Sequence, residues 1–163
     1  MTMPSPRTFA VALALLRGAS LSAQDLAVTG WDGKETKLSS AELRKLEHMT
    51  VRATDPHAKA AAEYRGVALA EIVRRAGAPL GKDLRGRALL ATVVIEAADG
   101  YQVAFSLAEI DPEMSGQTVL IADVENGKPL PSEVGALRLV VPNDKKASRW
   151  VRQVTRVVVR PGS

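Results

Sequence analysis

The sequence predicts an α+β fold: a single domain with a mixed β-sheet, barrel-like core and short helices inserted between strands. Short apolar runs of strand type recur along the chain, bounded by Asp-Gly, Asn-Gly or Pro turns. Helical spacing and helix-capping residues appear only in brief stretches between those runs. No repeat, low-complexity tract or linker divides the 163 residues, a length suited to one core. With 46% hydrophobic and 25% charged residues, the composition is that of a globular protein rather than a disordered one.

The first stretch, "MTMPSPRTFAVALALLRGASLSAQ", has Arg7, an apolar run from Phe9 to Leu16, and small residues at Ser20, Ser22 and Ala23. This is the pattern of a secretory signal peptide over residues 1–23, which leaves a mature domain of 24–163 in the periplasm. The run is too short to stay in a membrane as a spanning helix, so no membrane insertion of the mature protein is expected.

Further on, "LAVTGWDGKETKL" alternates around Asp32-Gly33 and predicts a hairpin in which Trp31 packs. Ser39 and Glu42 make a capping box, with Leu38 and Leu43 as the hydrophobic staple of a short helix. "MTVRA" follows as a strand. In "YRGVALAEIVRRAGAP", Leu69, Ile72, Val73 and Ala76 fall at helical spacing before Gly77 and Pro79, with Arg74 and Arg75 on the wet face.

"ALLATVVIEAADGYQVAFS" reads as two strands around Asp99-Gly100. Ser106 and Glu109 repeat the capping box, Phe105 and Ile110 the staple, and Pro112 ends that helix. "TVLIADVENGKPLP" is a buried strand and an Asn126-Gly127 turn; "ALRLVVP" and "WVRQVTRVVVR" supply the last strands.

Composition also excludes several chemistries. Cysteine is absent, which rules out disulfides, thiolate metal sites and cysteine nucleophiles. The two histidines, His48 and His57, lack the paired spacing of a histidine metal site. Removing the leader takes two arginines and no acid, lowering the formal net charge from +4 to +2. That is too small an excess to predict a nucleic-acid partner.

The chemistry concentrates in "VVPNDKKASRWVRQVTRVVVR". Asp144, Lys145, Lys146, Arg149 and one of the chain's two tryptophans, Trp150, crowd a connector between apparently buried strands. Arginine offers a planar fork of donors and lysine a mobile charge, so the connector suits an anion or a polar heterocycle. The indole either lends its face to a flat ring or braces the site from behind.

Other candidates carry plainer readings beside the functional one. Asp55 and His57 follow a strand, as a turn or as ligand contacts. Tyr64 either stacks on a ligand or packs at the start of its helix. Asp99 and Tyr101 flank a hairpin turn that already explains the Asp-Gly pair.

Four phrases in order, "YRGVALAEIVRRAG", "DGYQVAFSLAEI", "VLIADVENGKPLP" and "ALRLVVPNDKKASRWVRQVTRVVV", resemble the oxidoreductase molybdopterin-binding domain, the fold of sulfite oxidase and its bacterial relatives. The resemblance spans roughly residues 38–159. It implies that the connector wraps a pterin cofactor through Asp144, Lys145, Lys146, Ser148, Arg149 and Trp150. Enzymes of that family ligate molybdenum through a cysteine placed near the equivalent of Asp55, and this chain has none.

The abbreviated, thiolate-free pattern is similar to exported pterin-binding relatives, some of which act with membrane-bound cyclic-di-GMP enzymes. The resemblance therefore implies a non-catalytic pterin sensor without molybdenum, in which Asp144, Asp55 or Asp99 meets the donor edge of the pterin. The alternative it implies is an oxidoreductase subunit with an atypical molybdenum ligand.

Overall fold

A computed structural model describes residues 24–58 and 60–162. The leader read over residues 1–23 lies outside the described residues. Among the described residues no helix is long and apolar enough to cross a membrane.

Local sequence rules account for most of the elements. Strands β1 (Leu26–Thr29) and β2 (Glu35–Leu38) form the hairpin expected around Asp32-Gly33. Helix α1 (Ser40–Lys45) starts at Ser39, whose hydroxyl accepts the Glu42 N–H at 3.2 Å while the Glu42 carboxylate accepts the Ser39 N–H at 2.8 Å. Each bond satisfies a donor that a helix start would otherwise leave bare. Helix α3 (Leu107–Ile110) is opened in the same way by Ser106 and Glu109.

Between them, β3 (His48–Asp55) pairs antiparallel with β4 (Ala60–Ala68), which leads directly into α2 (Leu69–Arg75). That helix buries Leu69, Ala70, Ile72 and Val73, and its outer Glu71 accepts from Arg74 and Arg75 at 2.8 and 2.7 Å. Strands β5 (Thr92–Ala97) and β6 (Gln102–Ser106) form the Asp-Gly hairpin. The chain ends with β7 (Leu120–Glu125), β8 (Lys128–Pro129), β9 (Arg138–Val140) and β10 (Val154–Arg160).

The strands gather into two sheets. One runs β2-β1-β10-β5-β6, the other β3-β4-β7-β8 with β9 also on β7. Among the described residues only β1 and β10 run parallel; every other pair is antiparallel. One apolar cluster unites the sheets and helices, with Val28, Ile95, Phe105 and Val157 from the first sheet and Val67, Leu120 and Leu139 from the second.

Strand β4 is the main departure from the sequence reading. Alanines at 60–62 favour helix by propensity and give weak apolar contrast, but pairing with β3 and β7 on its two sides overrides that preference. Tyr64 therefore sits within a strand, not at the start of a helix.

A candidate ligand-binding cleft

Three loops meet at one side of the molecule: the turn after β3, the β5–β6 turn, and the connector from β9 to β10. They enclose an open cleft of about 530 Å³, lined by His57, Asp99, Tyr101, Ser148, Trp150 and Arg152 with Ala97, Ala147 and Val151. That volume falls within the about 300–1,000 Å³ typical of small-molecule sites.

The connector is shaped by its own backbone. Ala147–Arg149 form one 3₁₀ turn, closed by the Trp150 N–H on the Ala147 carbonyl at 2.9 Å. Its return arm then lies beside β9: Leu139 N–H donates to the Val151 carbonyl at 2.8 Å and Val154 N–H to the Leu137 carbonyl at 3.0 Å. The indole N–H of Trp150 reaches back to the Val141 carbonyl at 3.0 Å, tying the two arms together.

Trp150 is only 4% exposed, and its face is already occupied. The Arg138 guanidinium lies 5.3 Å from its centroid, and the Tyr64 ring meets it edge-on at 5.7 Å. The indole thus braces the cleft from behind, and the accessible aromatic surface belongs to Tyr101, which is 50% exposed. The Tyr101 hydroxyl donates to the Ser148 carbonyl at 2.7 Å, pinning hairpin to connector. Asp99 shapes the turn with one oxygen, which accepts the Tyr101 N–H at 2.9 Å.

Four residues expected to contact a ligand are engaged by other side chains. Tyr64 is 1% exposed, and burial raises its phenol above the ordinary value, so no ligand reaches its face. Asp55 is 5% exposed; one oxygen accepts the His57 N–H at 2.8 Å and the other accepts from Arg138 at 3.0 Å. Burial pulls the Asp55 carboxyl up, but those hydrogen bonds outweigh it and hold it below the usual carboxylate range.

Asp144 and Arg149 hold each other. Arg149 Nε and Nη2 donate to the two Asp144 oxygens at 2.8 Å each, and Nη1 donates to Glu109 at 2.9 Å. The Asp144 bonds above all, against the opposing effect of burial, raise the Arg149 guanidinium further beyond its already high range. Arg149 also lies 4.4 Å over the Phe105 ring, so it clamps the connector onto α3 and does not line the cleft.

The connector's lysines diverge. Lys145 and Asp144 line a second opening of about 520 Å³ with Arg52, Thr54, Pro56 and Asn143. Lys146 is exposed and lines neither opening.

Two arginines at or behind the cleft escape the sequence reading. Arg152 lines the cleft two residues beyond Trp150. Arg138 is buried behind it, and its signal was an arginine inside the apolar run "LRLVV".

The residues present give molybdenum no protein thiolate, because the chain contains no cysteine. The carboxylate standing where the resemblance places the thiolate is spent on Arg138, and no metal-holding cluster of His, Cys, Asp or Glu occurs among the described residues.

Comparison with known proteins agrees on the fold. Residues 19–162 match the family model described as the oxidoreductase molybdopterin binding domain. None of the curated proteins matches the chain. Among solved structures, the sulfane dehydrogenase SoxCD from Paracoccus pantotrophus superposes with a TM-score of 0.63 at 21% identity, over 83% of this chain and 38% of that one. The chain thus spans well under half of the SoxCD chain it matches, and identity at that level speaks for the fold alone. With all its described residues inside the matched segment, the chain belongs to the oxidoreductase molybdopterin-binding domain family.

Proposed function

We propose that this protein is a periplasmic, non-catalytic pterin-binding module that reports ligand occupancy to a membrane-bound cyclic-di-GMP enzyme. The observation that supports the pterin most directly is the pairing of Tyr101 and Asp99 in one cleft. A pterin presents a flat face and a donor edge of N3–H and 2-amino group. Tyr101 offers the accessible ring, and Asp99 is the one member of the expected carboxylate trio not consumed by an arginine.

The remaining lining residues serve the same ligand. His57 and Arg152 supply polar contacts for the far side of the heterocycle, and the Ser148 hydroxyl is exposed at the rim. The missing thiolate removes the protein's own sulfur ligand to a redox metal, which favours binding over catalysis. Export rests on the leader pattern of residues 1–23, and the membrane partner on the resemblance to exported pterin sensors.

Titration of the purified protein with a tetrahydropterin and with an oxidised pterin, followed by tryptophan fluorescence, tests the reading. Saturable binding that weakens on Asp99→Asn is expected. Absence of saturation at millimolar ligand would overturn it. Stoichiometric molybdenum and reductase activity in protein isolated from the native periplasm would favour the oxidoreductase alternative.

A further inference from the structure

Among the described residues Arg138 is the largest fully buried side chain, 2% exposed on β9, and it lines neither of the two openings above. Arginine is almost never fully buried unless paired, so its partners define what it does. Its guanidinium lies 5.3 Å from the Tyr64 centroid and 5.3 Å from that of Trp150. Nη2 donates to Asp55 Oδ2 at 3.0 Å, and Nη1 lies 3.9 Å from Glu125. Nε has no hydrogen-bond partner among the described residues.

Such a pairing is a poor device for stability alone. Well-packed apolar side chains commonly replace a buried ion pair without loss, and here one donor is left bare as well. An ion pair supplies direction, which an apolar contact lacks. The guanidinium joins two segments that are far apart in sequence and that both line the cleft. One is the turn after β3, where Asp55 accepts Arg138 Nη2 with one oxygen and the His57 N–H with the other. The other is the connector, through the indole face of Trp150.

We infer that Arg138 is the positioning residue of the cleft: stacked on Trp150 and bonded to Asp55, it fixes the His57 and Trp150 walls in one mutual arrangement without touching the ligand. This inference rests on the cleft being a ligand site, as proposed above. Lysine would keep the charge but has neither the planar face nor the fork needed to stack and bond at once.

Arg138→Lys in the full chain is the test, with one measurement made without ligand and one with a tetrahydropterin. In the absence of ligand, hydrogen exchange at the His57 amide and the Trp150 indole N–H accelerates together, by about tenfold, while the β5–β6 amides keep their native rates. With ligand, His57→Ala and Trp150→Phe are combined in a double-mutant cycle. Their effects on Kd depart from additivity by about threefold or more in the native background and add in the Arg138→Lys background.

If Arg138→Lys fails to fold by circular dichroism, Asp55→Asn weakens the His57 half of the link alone. It accelerates exchange at His57 and leaves the Trp150 indole unchanged. Native exchange at both positions in a folded Arg138→Lys protein, or additivity already in the native background, would overturn the inference. If Asp55→Asn is used instead, native exchange at His57 overturns it. Failure of the native protein to bind any pterin would reject the functional reading, and the exchange result would then decide the positioning role by itself.

Discussion

Arg149 closes a two-bond fork on Asp144, each bond 2.8 Å long, so the pair that the sequence nominates to hold a ligand also holds the connector together. Arg149→Ala removes this fork, the Glu109 bond and the contact over Phe105. The side chain is 29% exposed, so solvent screening trims the ionic part. A loss of about 2 kcal/mol in urea denaturation is expected, the scale of hydrogen bonds to charged groups. Pterin affinity should fall less than it does for Asp99→Asn, since Arg149 lines no part of the cleft.

Asp99→Asn separates charge from shape. Asparagine keeps an oxygen for the Tyr101 N–H, and therefore the local turn, but loses the anion that meets the pterin donor edge. Affinity should weaken by about 1.5–3 kcal/mol, the range of a hydrogen bond to a charged group, with no change in the thermal midpoint. A calorimetric titration beside a thermal melt checks both halves.

Tyr101 has two roles that substitution can split. Tyr101→Phe keeps the ring and cuts the bond to the Ser148 carbonyl, so it loosens the hairpin from the connector at a cost of about 1 kcal/mol in binding. Tyr101→Ala removes the stacking surface too and should cost about 0.5–1.5 kcal/mol more, the worth of an aromatic pair beyond its buried area. Equal affinities for the two variants would show that the ring itself contributes nothing.

These contacts also show where sequence reading reaches its limit. The capping boxes at Ser39 and Ser106 and the turns at Asp32-Gly33 and Asp99-Gly100 were legible because each is complete within a few residues. The crowding of charge around Trp150 was equally visible. Its direction was not, because one partner of Arg149 and the charged partner of Asp55 lie 40 and 83 residues away, at Glu109 and Arg138. Strand β4 was hidden by its alanines, and Tyr64 was misplaced with it. A charge in an apolar strand such as "LRLVV" was the available sign that a buried counter-ion existed elsewhere.

Gly66 tests the seam between β4 and β7. The register shifts between Arg65 and Gly66, and a Cβ at Gly66 would fall on the Ile121 carbonyl oxygen and 2.5 Å from Ala122 Cα. Both are backbone atoms of the partner strand, so no rotamer change relieves the overlap. Gly66→Ala should destabilise at the upper end of the about 1–3 kcal/mol typical of overpacking. A native urea midpoint for this variant would contradict the pairing.

Among the groups withdrawn from open solvent, two carboxyls and one phenol tie stability to pH. Burial raises Asp55 and Glu109, but hydrogen bonds from His57 and Arg138, and from Arg149 and Ser106, leave both below their ordinary values. A carboxyl depressed in the folded state contributes fully above its unfolded value, and that contribution drains away as pH falls through the folded one. Burial raises Tyr64, which has the opposite sign: its contribution is complete below the unfolded value and lost as pH climbs. As far as these three groups govern it, the urea midpoint should stay level from neutral pH down to about 5, fall below about 4, and fall again above about 10. In Asp55→Asn the acid limb should be shallower at a lower starting stability, because the amide no longer titrates and pairs less strongly with Arg138. An acid limb unchanged in slope would mean that the buried ion pair is not what low pH breaks.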